Sequence, residues 1–141
     1  MDKWKAAISA GNLAFDQYRD ADAEAQYRTA CIRSEQLLTD WNDVEEVTAA
    51  LVISYQNLAD LYFRGSRVRN ALEAYKRLNQ QLLKLHDHHA NRPDRQAYAE
   101  RARKKIGTEL MYLLRTKQLY TSDTEELLKQ IAQKPELNRS C

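Results

Sequence analysis

The chain has 141 residues, enough for one compact domain, and holds only three glycines (Gly11, Gly65, Gly107) and two prolines (Pro93, Pro135). A sheet protein of this size needs more turn chemistry than that. Ala, Leu, Gln, Glu, Arg and Lys, the strong helix formers, dominate instead, so the composition excludes a sheet-built fold and predicts an all-α one. The formal net charge is +2, yet Met1–Val47 carries five Lys/Arg against ten Asp/Glu, and Arg64–Lys117 carries fourteen against five.

This charge asymmetry suits an acidic partner or head-to-tail contact between copies, although exposed helix faces are charged in any case. Two cysteines, Cys31 in mid-helix and Cys141 at the last position, do not make the framework of a small secreted fold, and a disulfide between them is not expected. The start, Met1-Asp2-Lys3-Trp4-Lys5, leads into an amphipathic helix rather than a signal peptide's apolar run. No stretch approaches the roughly 18 consecutive apolar residues of a membrane span. The expected location is cytoplasmic, with no membrane contact.

In chain order, the first predicted helix runs from about Asp2 to Tyr18, with Trp4, Ala7, Ile8, Gly11, Ala14, Phe15 and Tyr18 as its apolar stripe. After a turn at Arg19-Asp20, with Asp20 as the expected N-cap, a second helix runs from about Ala21 to Leu38 on a stripe of Ala23, Tyr27, Ala30, Cys31, Ser34, Leu37 and Leu38. Asn42 or Asp43 is placed to cap a third helix, about Val44 to Phe63, and Glu45 and Glu46 suit the positive end of its dipole. Gly65 is expected to give the next turn its backbone freedom. Helix four follows from about Val68 to His86 on Leu72, Tyr75, Leu78, Leu82 and Leu85.

His88 to Pro93 interrupts the pattern, because proline disfavours helix in the residue before it. Pro93 opens helix five, which reaches about Lys117 through Tyr98, Ala102, Ile106, Leu110, Met111 and Leu114. Ser122 with Glu125 three residues on fits a capping box for a last helix ending near Gln133. The tail 135–141 is expected to be flexible. Short connections make neighbouring helices antiparallel. They group as hairpins at about 2–39, 43–87 and 93–133 in a single domain, 1–134, with a four-helix bundle carrying extra helices as the competing packing.

Two segments repeat. Gly11 is followed twelve residues later by Ala23, then Tyr27 and Ala30; Ala59 is followed twelve residues later by Ala71, then Tyr75 and Leu78. Small residues let paired helices approach closely, and the tyrosines would fill the gap to the neighbouring hairpin. Residues 4 to 86 thereby resemble the tetratricopeptide-repeat (TPR) pattern. The units lie 48 residues apart, against about 34 in a standard repeat, so helices two and three are lengthened around Trp41. The third hairpin fits poorly. Gly107 as the crossing residue pairs with Leu119, and alignment on Ser122 pairs Arg115 with Leu127, so it reads as a divergent capping unit. The resemblance implies three antiparallel hairpins stacked as a short TPR-like right-handed solenoid, similar in size to bacterial type III secretion chaperones.

The resemblance also implies a binding groove on the first helix of each hairpin. Lys5, Ile8, Asn12, Phe15 and Asp16 would face it from hairpin one, and Gln56, Asn57, Asp60, Phe63 and Arg64 from hairpin two. Asn12 and Asn57 fall where some TPR domains hold a peptide's terminal carboxylate, for which an amide N–H₂ is suited. The clamp is incomplete, since its leading lysine matches Ile8 and its later basic pair would match Arg101 and Lys105 only in the Gly107 register.

Arg101, Arg103, Lys104 and Lys105 form a basic patch, read as the solvent face of helix five. With no interleaved aromatics and no recognised motif, nucleic acid is disfavoured as a partner. His86, His88 and His89 lie at a helix end, where the negative pole favours imidazolium without any metal. No phosphate loop, zinc-protease pair or nucleophile elbow is present. The expectation is a non-enzymatic adaptor or chaperone-like module that binds a protein or peptide, without cofactor or metal. A homo-oligomer such as a homodimer and a nucleic-acid-associated regulator using helix five are the alternatives.

Overall fold

The computed structural model describes residues 1–135; residues 136–141, on which Cys141 and most of the expected loose tail fall, lie outside it. Among the described residues there are six helices and no strand: α1 (Asp2–Asp16), α2 (Asp20–Asp40), α3 (Val44–Arg64), α4 (Val68–His88), α5 (Pro93–Thr116) and α6 (Ser122–Ala132). α2 buries the whole stripe that its apolar spacing requires, Ala23, Tyr27, Ala30, Cys31, Ser34, Leu37 and Leu38, and α4 buries Tyr75, Leu78, Leu82 and Leu85 of its own. Leu72 on α4 and Tyr98, Ala102 and Met111 on α5 are only half-buried, and Tyr18, expected on the first stripe, lies in the turn beyond α1 and is 77% exposed. None is long and apolar enough to cross a membrane.

Consecutive helices pack against each other, and contacts also join α1 to α3, α3 to α5, α2 to α4 and α4 to α6. The side chains give the directions. Trp4 Nε1 donates to Ser54 Oγ at 2.6 Å, Asn57 Nδ2 to Asn12 Oδ1 at 3.2 Å, and Arg64 to the Phe15 carbonyl at 3.0 Å. The numbers rise together, so α1 and α3 run parallel. Gln56 donates to Glu109 and Lys117 lies over the Phe63 ring, so α5 continues that row. Arg67 pairs with Glu24 and Arg77 with Glu35, setting α4 parallel to α2 in the other row. The core fills the space between the rows.

The three tight turns share one geometry. Tyr18, Ser66 and Gln118 have φ of 58°, 59° and 56°. In each turn the next amide donates back to a helical carbonyl: Arg19 to Ala14 at 2.9 Å, Arg67 to Tyr62 at 2.8 Å and Leu119 to Leu114 at 2.8 Å. Such closures satisfy carbonyls that the helix end leaves unpaired. The left-handed residue is therefore Ser66, not Gly65, whose φ of −85° any residue adopts.

The same turns align the third hairpin. Met111 stands seven residues before Gln118, as Gly11 does before Tyr18 and Ala59 before Ser66. Thr124, 2% exposed, takes the buried place of Ala23 and Ala71, both 0%, but one residue later than their spacing from the turn, because the connection into α6 is longer. Neither register tried from the sequence is this one, because Gly107 faces Ile131 instead, where an added Cβ would lie 3.1 Å from Ile131 Cγ2.

The expected caps divide. Asp43 caps α3 by accepting from the Glu46 amide at 3.1 Å. Asp20 does not cap α2: it is the first helical residue, Arg19 holds the cap position, and the Asp20 carboxylate turns to Arg64 at 2.5 Å. The capping box of α6 is Thr121 with Thr124 rather than Ser122 with Glu125, because Thr121 is the last extended residue, at φ −133° and ψ 174°. Tyr27 does not bridge hairpins in the expected way. Its ring lies over Gly11 of its own hairpin, where a Cβ would come within 2.6 Å, and its hydroxyl donates to Asn12 Oδ1 at 2.7 Å.

Candidate functional site: the face of the first-helix row

Two clusters line the row of α1, α3 and α5. The first joins α1 to α3. Asn12 Oδ1 accepts from both the Tyr27 hydroxyl and Asn57 Nδ2. Beside it, the Arg64 guanidinium lies 3.6 Å from the Phe15 ring centre and 4.7 Å from that of Tyr18, while also binding the Phe15 carbonyl and Asp20. A planar cation suits this sandwich, since stacking and in-plane hydrogen bonds do not compete. Burial, reinforced by the charges of Asp16 and Asp60, pushes the Tyr27 hydroxyl up to about 12. It therefore stays a neutral donor at physiological pH.

The second cluster lies between α3 and α5. A cleft of about 540 Å³ is lined by Gln56, Asn57, Asp60 and Tyr75 on one side and Thr108, Glu109, Tyr112 and Leu113 on the other. Gln56 donates to Glu109 across it. Asp60 opens to solvent on one side but is crowded by the walls. Burial raises its carboxyl above the ordinary range, Lys117 opposes this, and Glu109 adds to it. Among the described residues neither Asp60 nor Glu109 forms an ion pair with a basic side chain. Tyr112, 69% exposed, stands at the rim.

The structure thus gathers most of the predicted groove residues. Asn12, Phe15, Asn57 and Arg64 form the first cluster, and Gln56, Asn57 and Asp60 floor the second, with Phe63 beside it under Lys117 at 5.4 Å. Lys5 is exposed and apart from both. Ile8 is 9% exposed and belongs to the core rather than to a groove lining. The Asn12 oxygen and the Asn57 amide are spent on each other and on Tyr27, a local network rather than two free amides.

Sequence reasoning missed Thr108, Glu109, Tyr112 and Tyr75. The turn register finds the first three: from Ser66 to Gln118 is 52 residues, which carries Gln56, Asn57 and Asp60 onto Thr108, Glu109 and Tyr112. That register was hidden because the sequence carries no glycine at any of the three left-handed positions.

The basic patch is reduced. Arg101 lies over Tyr98 at 4.8 Å, and Lys104 and Lys105 are exposed, but Arg103 is 3% exposed and does not belong to the surface. Its guanidinium donates to Asn79 Oδ1 at 2.8 Å, to Glu100 at 2.8 Å and to the carbonyls of Gln130 and Gln133 at 3.3 and 2.7 Å. It faces inward because it follows the buried spacing of Ala99, Ile106 and Leu110 on α5.

At the end of α4, the His88 and His89 rings meet edge to face at 5.1 Å. Burial, with His88, Arg95 and Arg92 nearby, lowers the affinity of His89 for a proton against the opposing pull of Asp94. His89 is therefore not held as the imidazolium that the helix pole alone would favour. No group of three or more His, Cys, Asp or Glu side chains placed to hold a metal occurs among the described residues. Cys31 is buried, and burial raises its thiol pKa far above the usual range, which leaves it a poor nucleophile.

The family model described as "Protein of unknown function (DUF2753)" matches residues 2–139. No curated protein and no solved structure matches the chain.

Proposed function

We propose that this chain, which belongs to the family described as protein of unknown function (DUF2753), is a non-catalytic protein–protein interaction module that takes an extended peptide segment along the face of α1, α3 and α5. In this reading the three hairpins are stacked as a short TPR-like right-handed solenoid, and the first-helix row is its binding face. The recurring turn at Tyr18, Ser66 and Gln118 and the parallel run of alternate helices support that reading.

The observation that carries the function is the α3/α5 cleft. It combines an exposed aromatic rim (Tyr112) with two carboxylates, Asp60 and Glu109, that form no ion pair among the described residues. The exposed aromatic ring packs on an extended segment, and the two carboxylates attract a cationic side chain. The segment chosen would therefore carry Lys or Arg. This departs from the terminal carboxylate that the resemblance implies, because Asn12 and Asn57 are engaged with each other.

Selection of the purified protein against a displayed random-peptide library tests this. Enrichment of a consensus containing Lys or Arg is expected. Its binding should fall at least tenfold in Asp60→Asn and in Tyr112→Ala, and should weaken as falling pH protonates Asp60. A library with no enrichment, or a consensus bound equally by both variants, rejects the reading.

A further inference from the structure

Each hairpin offers a groove between its two helices to the first helix of the next. The groove of α1 and α2 receives α3, through Trp4 to Ser54 and through Tyr55 and Leu58 near Cys31. The groove of α3 and α4 receives α5, through Asn79 to Arg103 and Tyr75 near Leu113. The groove of α5 and α6 receives nothing among the described residues. It remains a cleft of about 500 Å³ lined by Gly107, Met111, Leu128, Ile131 and Ala132, with Lys104 and Lys134 at its edge.

The opposite end of the stack carries the matching surface. The turn register, 48 residues from Tyr18 to Ser66, places Ala6, Ala10 and Leu13 where α3 carries Ser54, Leu58 and Leu61. Those three are 0%, 7% and 4% exposed, whereas Leu13 is 55% exposed. Ala6, Ala10 and Leu13 follow i, i+4, i+7 spacing, a second apolar stripe beside the one that α1 spends on its own hairpin. Small residues there permit the close seating that a helix needs in such a groove.

Charge does not oppose this seating. α1 is neutral, with Asp2 and Asp16 balanced by Lys3 and Lys5, and the groove sets its cations, Lys104 and Lys134, at the edge rather than in the apolar floor. The match is therefore one of shape and apolar surface, repeating the contact by which α3 and α5 each seat on the hairpin before them.

We infer that copies of this chain associate head to tail, the α1 face of one copy seating in the α5/α6 groove of the next. This contact uses different surfaces on the two copies, so it can propagate rather than close on a symmetric pair. It does not use Asp60, Glu109 or Tyr112 of the peptide cleft, and Thr108 is the α5 residue that borders both.

Sedimentation velocity of the full chain over a range of concentrations tests this. Species larger than a dimer should grow with concentration, and at low and high salt alike, because the contact buries apolar surface. Leu13→Glu disables the donor face, and Lys104→Glu with Ala132→Glu disables the groove; all three positions are exposed, and circular dichroism verifies the fold of each variant. Each variant alone should sediment as a monomer. An equal mixture of the two should form a dimer and nothing larger, since only one working donor and one working groove remain. A monomer at every concentration overturns the inference, as does assembly that survives either variant or a variant mixture that stays monomeric.

Discussion

Arg103 shows how a charged residue acquires a structural task. A buried guanidinium is costly unless its donors are met. Here they reach α4 through Asn79, a carboxylate through Glu100, and the C-terminal carbonyls of α6 through Gln130 and Gln133. One side chain therefore ties three helices and satisfies carbonyls that the end of α6 would leave open. Replacing Arg103 with Met should cost about 3 kcal/mol in urea unfolding, because an acid and two carbonyls lose their donor together. Lys105→Met, on the exposed face of the same helix, should change stability by less than about 0.5 kcal/mol. Equal effects at the two positions would contradict the assignment.

At the scale of the element, the turns decide how hairpins form. Three different residues, Tyr18, Ser66 and Gln118, accept a left-handed conformation that costs an L-residue about 1 kcal/mol. They do so because the following amide then closes onto a helical carbonyl. The glycine that neighbours one of these sites, Gly65, takes no part in that strain, and the nearest heavy atoms to a Cβ built on it are 3.7 Å away. Exchanging the roles should therefore help. Gly65→Ala and Ser66→Gly should each stabilise the protein by about 0.5 kcal/mol, the first by restricting the unfolded chain and the second by relieving strain. The double variant should melt a few degrees higher than the native chain, and a lower melting temperature would show that the turn geometry is assigned wrongly.

Across the whole molecule, contacts join elements that are adjacent or next-but-one in the chain, so stability is built from neighbour to neighbour. α3 and α4 are covered on both sides. α6 is the shortest of the six helices, with 11 residues, and among the described elements packs on α4 and α5 alone. Opening it exposes the least core, so its amides should be the least protected among the six helices in native-state hydrogen exchange, with α3 among the most protected. Protection of α6 equal to that of α3 would mean that the molecule opens only as one unit, or that the α5/α6 groove is covered under the conditions used.

Helix number, type and approximate bounds were determined by the sequence, because period-3.6 spacing, Pro93 and the Asp43 cap act within a few residues. Asn12, Asn57, Gln56 and Asp60 were also legible as neighbours, through the internal repeat. Tertiary structure decided what local pattern leaves open. It decided that Arg103 points inward, because only packing shows that Asn79 and the end of α6 supply its partners. It decided that Asn12 and Asn57 satisfy each other, because hydrogen bonds between residues 45 positions apart leave no periodic trace. It decided the register of the third hairpin, which rests on a backbone angle at Gln118 that the residue type does not announce. It also decided that none of the described residues fills the last groove, because a surface is unpartnered only by reference to what might have covered it.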